Sequence, residues 1–285
     1  MSIEKIHGMI DQNKVGEAAD YLKTRLHKNI TVACVLGTGM NRLEEMVDQE
    51  MVIPYEDIPH TPMSTVESHS GRLISGRLGN KHILILAGRY HYYEGYEMDV
   101  VTFFIHVLNQ LGVKTIIFTN AAGGLNPHYT SGDIVMIKDH INLFPQNPLR
   151  GRNDAGVGPR FPDMLFTYDA KLREEVKLHS LDLKIPFKEG VYLGWQGPSL
   201  ETPAEYKMAR MFGADLVGMS TIPEVIVAKY YGLRIAAFSI VSNTCFPISE
   251  LKETALEDII RMVNGSGEKL SELVSGLIHR IVDSN

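Results

Sequence analysis

A single α/β domain, built on a central mixed β-sheet with helices on both faces, is the fold that residues 1–285 predict. Three observations carry that expectation. Short apolar runs of β type alternate with helical segments from one end of the chain to the other. Gly79-Asn80 stands between two such runs as a two-residue hairpin turn, which brings antiparallel pairing into the sheet. No Pro/Gly/Ser linker, low-complexity tract or repeat divides the sequence, and 285 residues, 44% of them hydrophobic, suffice for a sizeable core.

The elements follow in order. Ile3, Ile6, Ile10, Ala18, Leu22 and Leu26 recur near helical spacing and predict N-terminal helices interrupted near Asn13. Thr31 to Leu36 reads as a buried strand running into Gly37-Thr38-Gly39. Arg72 to Leu78 and His82 to Ala87 are the hairpin strands. Thr115 to Thr119 and Asp133 to Lys138 are strands separated by a loop from Asn120 to Gly132, and further strands are expected at Gly190 to Trp195 and Leu233 to Val241.

Two helix starts are well signalled. Thr202-Pro203-Ala204-Glu205 has a capping Thr, a Pro at the first helical position and a Glu at the third, which is a capping box. Thr221-Ile222-Pro223-Glu224 is similar, with its Pro one place later. Gly213 and Gly232 stand where those helices should stop. Phe144 to Pro162, rich in Gly, Pro and Asn, predicts a long irregular loop of the kind found at active sites or subunit contacts. Leu251 to Val282 reads as one long helix or two.

Composition narrows the function. With 28 Lys+Arg against 34 Asp+Glu the net charge is −6, and no basic run offers a face to nucleic acid or a membrane surface. The N-terminal Met1 to Ile6 leads into a polar amphipathic stretch, and apolar runs such as Ile235 to Val241 are far too short to span a bilayer. Cys34 and Cys245 lie in apolar segments without a CxxC, as buried free thiols do in a reducing compartment. A cytoplasmic protein is expected. The eleven histidines fall into no metal-ligand spacing, so no metal is expected, and no G-x-S-x-G marks a serine hydrolase.

Several segments carry chemistry. Gly37-Thr38-Gly39, a glycine turn after a strand, offers backbone N–H groups and the Thr38 hydroxyl to an anion, or is an ordinary tight turn. It is neither a Walker loop nor a dinucleotide fingerprint, because no Gly-Lys-Ser/Thr follows and Arg42 holds the third glycine position. In Gly88 to Tyr96, Arg89 and His91 share a side if the strand runs on, and an Arg fork beside a His donor can hold a phosphate. Asn120 to Leu125 is small enough for a ligand to approach the backbone closely. All three segments lie at strand carboxyl ends, where open α/β sheets bind ligands. Glu201 either accepts hydrogen bonds from a ring N–H and an exocyclic amine or stabilises the dipole of its helix. Ser220 sits at a helix start that favours an anion, and Asn243 reads a purine edge or closes a turn.

Together these blocks resemble the homotrimeric purine nucleoside phosphorylase family. The matching segments are Gly37 to Gly39, Gly88 to Tyr96, Thr119 to Asn126, Gly132-Asp133, Asp139 to Asn142, Gly197 to Glu201 and Val217 to Ala228, in family order and spacing from about Val32 to Asn243. The resemblance implies that Thr38, Arg89, His91, Ala121 through its N–H, and Ser220 hold phosphate, with His69 capping it. It implies ribose contacts from Tyr93 and Met219, base contacts from Glu201 and Asn243, Tyr192 lining the pocket, and Phe161 reaching into a neighbouring subunit's site. Thr38 stands where the family usually has Ser; both supply a hydroxyl.

Two positions depart from the family pattern. Leu200 stands where an aromatic often packs on the base. Near Leu256 the chain reads Ala255-Leu256-Glu257-Asp258-Ile259-Ile260, without the His that binds the ribose 5′-hydroxyl in relatives.

The implied activity is phosphorolysis of inosine, guanosine and their 2′-deoxy forms to purine base and (deoxy)ribose 1-phosphate, in purine salvage. Inorganic phosphate is a co-substrate and no cofactor is expected. Asn243, Glu201 and His91 are the expected catalytic residues. The alternatives are 5′-methylthioadenosine phosphorylase, toward which Leu256 leans, and a nucleoside-binding protein without turnover, against which the set Arg89, His91 and Ser220 argues.

Overall fold

The computed structural model describes residues 10–27, 29–62, 70–151, 153, 157–253 and 256–282, without the side chains of 256–258. Its centre is one mixed sheet of nine strands: β1 Val32–Leu36, β2 Asp48–Pro54, β3 Arg72–Leu78, β4 Lys81–Ala87, β5 Thr115–Gly124, β6 Ile134–Asn142, β7 Lys188–Gly194, β8 Leu216–Gly218 and β9 Arg234–Thr244. The order is β2-β3-β4-β1-β5-β8-β7-β6-β9, and β9 also pairs with β5. That last pairing closes β5, β8, β7, β6 and β9 into a five-stranded ring, with β1 to β4 as an open wing.

The hairpin forms where expected, with Gly79 at φ 61° closing β3 onto β4. β4, β1, β5 and β9 then run parallel to one another, so their carboxyl ends share one edge of the sheet. Their near-continuous apolar composition follows from burial on both faces.

Among the described residues, eight α-helices cover the faces: α1 Gln12–Lys23, α2 Asn41–Met46, α3 Met98–Val101, α4 Phe103–Gln110, α5 Ala170–Leu183, α6 Pro203–Met211, α7 Ile222–Tyr230 and α8 Leu256–Arg280. Val15 and Leu22 of α1, Val107 and Leu108 of α4, and Val225 and Ala228 of α7 fill one core with Ala33, Leu84 and Ile116. Leu43 of α2, Leu172 and Val176 of α5, and Val263, Leu270 and Leu277 of α8 fill the other with Cys34, Ile85 and Ile117. Successive strand residues face opposite sides, so each strand feeds both cores. Each such Val, Leu or Ile side chain is worth about 1.5–3 kcal/mol when fully buried.

Several boundaries differ from the sequence expectation. The break near Asn13 is the start of α1, where Asp11 accepts from the Asn13 N–H at 3.0 Å. Residues 1–9 lie outside the described set. β5 runs on through Ala121 to Gly124, and β9 through Ser242 and Asn243 to Thr244, where a loop and a turn were expected. The small residues permit that pairing: a Cβ on Gly123 would lie 2.7 Å from Cys245 Sγ. β2 and β8 carry no expectation, one because five of its first residues are exposed, the other because it is three residues long. The Thr202 capping box forms as read, with Glu205 N–H donating to Thr202 Oγ1 at 3.3 Å and Thr202 N–H to Glu205 at 2.7 Å.

Candidate active site

The carboxyl ends of β1, β4, β5 and β9, together with the ends of β7 and β8, enclose a cavity of about 180 Å³. Ten of the expected residues line it: Thr38, Arg89, His91, Tyr93, Ala121, Leu200, Glu201, Met219, Ser220 and Asn243. They arrive from six separate stretches of chain, which the parallel pairing of the strands brings to one rim.

Arg89 is the most heavily anchored. It is 3% exposed. Its Nη2 donates to the carbonyls of Val35 (3.1 Å) and Thr119 (2.8 Å), and its Nη1 to Thr221 Oγ1 (2.8 Å) and Ser220 Oγ (3.3 Å). Glu224 Oε2 lies 3.5 Å from Nη1. Burial pushes the Glu224 carboxyl up to about 6, against the pull of Arg89 and of a hydrogen bond from the Thr221 backbone. A guanidinium fixed on several sides is a preorganised cation beside the cavity.

His91 is also buried, and Glu94 Oε1 takes both its backbone N–H (2.7 Å) and a hydrogen bond at Nδ1 (2.8 Å). Burial, aided by the Arg89 charge, pulls the His91 imidazole below its ordinary range, while Glu94 pulls upward. The Tyr93 ring stacks on it at 4.7 Å. The Gly37 N–H donates to Thr119 Oγ1 at 3.0 Å, tying the turn that carries Thr38 to β5.

Across the cavity stand two groups suited to a heterocycle. Burial raises the Glu201 carboxyl above its ordinary value, opposed by hydrogen bonds from its own backbone and from the Tyr206 side chain. Asn243 Oδ1 accepts from Ser242 Oγ at 2.7 Å, and its Nδ2 donates to Cys245 Sγ at 3.3 Å. One rim of the cavity is therefore built for an anion, and the other offers a carboxylate and an amide.

Two expected residues do not line this cavity, and two others lie outside the described set. Tyr192 is wholly buried behind the wall: it passes beneath Gly218, where a Cβ would lie 2.2 Å from its hydroxyl, and accepts from the Ser220 N–H at 3.4 Å. It braces Ser220 and does not line the pocket. Phe161 is 86% exposed and belongs to a separate surface cavity with Arg150, Arg160 and Pro162. His69 and the side chain of Leu256 lie outside the described residues. From α8 it is Ile259 that lines the cavity.

Sequence reasoning missed Asn120, Thr221, Glu224, Tyr206 and Ile259. Thr221 and Glu224 were read as a cap. Thr221 instead has φ 67° and no side-chain cap bond, and its hydroxyl turns to Arg89 and Asn120. One signal was available: Glu224 is a lone acid in the apolar run Ile222 to Ala228, and a buried acid needs a partner. Among the described residues, no three or more His, Cys, Asp or Glu are grouped to hold a metal ion. No helix among them is long and apolar enough to cross a membrane.

Residues 31–279 match the sequence model of the phosphorylase superfamily. Its relatives are narrower in kind. Purine nucleoside phosphorylase 1 of Geobacillus stearothermophilus is 44% identical over 234 residues, 82% of this chain and 85% of that protein. The purine nucleoside phosphorylase of Rattus norvegicus is 40% identical over 269 residues, 92% and 93% of the two chains. Among solved structures, isoform 2 of purine nucleoside phosphorylase from Schistosoma mansoni, in complex with cytosine and ribose-1-phosphate, superposes with a TM-score of 0.89 at 35% identity, covering 96% of this chain and 98% of that one. Schistosoma mansoni purine nucleoside phosphorylase in complex with adenosine gives 0.89 at 34% identity, covering 97% and 100%. The chain belongs to the purine nucleoside phosphorylase branch of the phosphorylase superfamily.

Proposed function

We propose that this chain cleaves 6-oxopurine nucleosides with inorganic phosphate, turning inosine, guanosine and their 2′-deoxy forms into free base and (deoxy)ribose 1-phosphate for purine salvage. One observation supports it above the rest: an immobilised Arg89 beside Thr38, His91, Ala121 and Ser220 shares a small cavity with Glu201 and Asn243. Phosphate binds at the first group and the purine at the second. Tyr93 and Met219 hold the ribose between them, and Leu200 covers the base from the outer rim.

The chemistry follows from charge. Breaking the glycosidic bond gives the sugar oxocarbenium character. A phosphate dianion next to the anomeric carbon stabilises that positive charge and then bonds to it, with inversion. The electron pair of the broken bond passes to the purine ring. Asn243 stabilises N7 by hydrogen bonding as charge or a proton arrives there, and the Glu201 carboxylate accepts from N1–H and holds the lactam form. Phosphate is a co-substrate, and no cofactor enters the scheme.

The assembly proposed is a homotrimer with composite sites, each exposed Phe161 reaching one neighbour in a cyclic arrangement. His69 caps the phosphate in this reading. The compartment proposed is the cytoplasm. Sedimentation should give a trimer; a fully active monomer refutes the shared site.

Ile259 in the cavity wall favours a second reading, a 5′-methylthioadenosine phosphorylase, because a methylthio group needs an apolar neighbour. Base release from inosine, guanosine, adenosine and 5′-methylthioadenosine, each with and without phosphate, decides between them. The expected result is phosphate-dependent release from the 6-oxopurines with ribose 1-phosphate as product. Free ribose in phosphate-free buffer overturns it.

A further inference from the structure

Behind the anion side of the cavity lies a buried hydroxyl that no phosphate-binding role accounts for. Thr221 is 1% exposed and sits at φ 67°, a left-handed conformation that a β-branched residue rarely adopts. That twist turns Oγ1 away from its own helix, whose N–H groups it does not cap. The oxygen accepts from Arg89 Nη1 at 2.8 Å and from Asn120 Nδ2 at 2.9 Å. Asn120 is locked in turn, because its Oδ1 accepts from the buried Ser239 Oγ at 2.7 Å. Ser220 Oγ lies 3.1 Å from Thr221 Oγ1 and 3.3 Å from Arg89 Nη1.

Counting protons gives the contact its direction. A hydroxyl has one hydrogen to donate and two lone pairs to accept with. Thr221 spends both lone pairs on Arg89 and Asn120, so its hydrogen goes to Ser220. Ser220 Oγ then accepts from Thr221 and Arg89, which fills its own lone pairs. Its remaining capacity is one hydrogen, in a residue that lines the cavity and whose side chain also meets the buried Tyr192 hydroxyl.

We propose that Thr221 is a positioning residue of the anion site, which aligns Arg89 and Asn120 and restricts Ser220 Oγ to donating, with the Tyr192 hydroxyl as its partner until a phosphate oxygen takes that hydrogen. A serine free to rotate could present lone pairs to an anion; this one cannot. The same oxygen joins the end of β4, the middle of β5 and the start of α7, the three elements that carry Arg89, Ala121 and Ser220. The proposal rests on the phosphorolytic reading above.

Steady-state kinetics of Thr221→Val, which keeps shape and loses the hydroxyl, and of Thr221→Ser, which keeps the hydroxyl, test it. Thr221→Val should raise the phosphate KM about tenfold or more by loss of charge-assisted and neutral hydrogen bonds, with the inosine KM within about twofold. Thr221→Ser should restore most of the phosphate affinity. In an Arg89→Ala background, Thr221→Val should add little, because the two act through one another. Thr221→Gly adopts the same backbone without strain and should show the same phosphate defect, which keeps the test open if the valine variant does not fold. An unchanged phosphate KM in a folded Val or Gly variant, or an equal rise in both KM values, overturns the role of Thr221. Phosphate-independent turnover of inosine by the wild-type enzyme overturns the functional reading instead.

Discussion

Arg89 and Glu224 face each other at 3.5 Å with side chains only 2% and 5% exposed. A buried pair of this kind costs desolvation that its mutual attraction repays incompletely, and Glu224 records the deficit by holding its proton to about 6. The folded carboxyl thus titrates above its ordinary 4.5, so ionising it weakens the folded state. The penalty is absent below the ordinary value, grows as pH rises through about 6, and is complete above it; the gap corresponds to about 2 kcal/mol. Urea unfolding of wild type and Glu224→Gln at about pH 4 and about pH 7.5 should therefore show the variant gaining about 2 kcal/mol relative to wild type on going to the higher pH. A difference that does not move with pH removes Glu224 from that account.

Glu201 titrates where its chemistry can be read. In the proposed role its carboxyl group accepts a purine N–H far more strongly when ionised, and burial places its pKa above the ordinary range. As pH falls through that raised value the acceptor is weakened, so kcat/KM for inosine at saturating phosphate should decline earlier than an exposed carboxylate allows. Glu201→Gln should erase that acid limb and lower kcat/KM about tenfold or more. An acid limb that survives in the variant belongs to another group.

Asn243 is the proposed reader of the base. Its amide can both donate and accept, and so can serve N7 and O6 of a 6-oxopurine together; an Asp there accepts from a 6-amino group. Sites that leave a buried polar group unpaired reject the wrong substrate strongly. In kcat/KM, inosine should exceed adenosine by about two orders of magnitude or more, and Asn243→Asp should narrow the gap. Parity of the two nucleosides in the wild type would show that Asn243 is not the reader.

The third proposed substrate contact is apolar. Ile259 lines the cavity from α8, in the segment where the sequence lacks the histidine of relatives. No buried donor is then stranded when the 5′-hydroxyl is missing. Since a neutral hydrogen bond is worth about 0.5–1.5 kcal/mol, 5′-deoxyinosine should lose about tenfold or less in kcat/KM against inosine. Leu256→His should restore a preference for the hydroxyl. A hundredfold loss in the wild type, on the scale of a stranded buried partner, identifies another donor to the 5′ position.

The residues proposed to meet the ligand were legible because their chemistry shows in short motifs. Thr38, Arg89, His91, Glu201, Ser220 and Asn243 stand at the strand ends and helix starts that pattern reasoning can find. Residues that hold those groups were not. Thr221 looked like a helix cap because its neighbours Pro223 and Glu224 suit one, and only the backbone twist at φ 67° shows otherwise. Tyr192 looked like a lining residue because the absent Cβ of Gly218, from another strand, is what lets it pass underneath. The extension of β5 through Ala121 to Gly124 was hidden for a similar reason: its small residues signal a turn locally and strand pairing only once β9 is beside them.

The closure of β9 onto β5 also bears on how the chain behaves at high concentration. A row of nine strands would ordinarily expose two rims of unpaired backbone, each a template for joining another molecule. Here one end is consumed by the ring, and among the described strands only β2 keeps an open rim. That rim begins Asp48-Gln49-Glu50, has every residue but Ile53 exposed, and breaks register between Gln49 and Met51. Acidic side chains repel an identical rim, and the bulge bends the strand out of line for stacking. Colloidal stability of the folded protein therefore rests on these few residues. Replacing Asp48 and Glu50 with Val should promote sheet-mediated association, visible by light scattering.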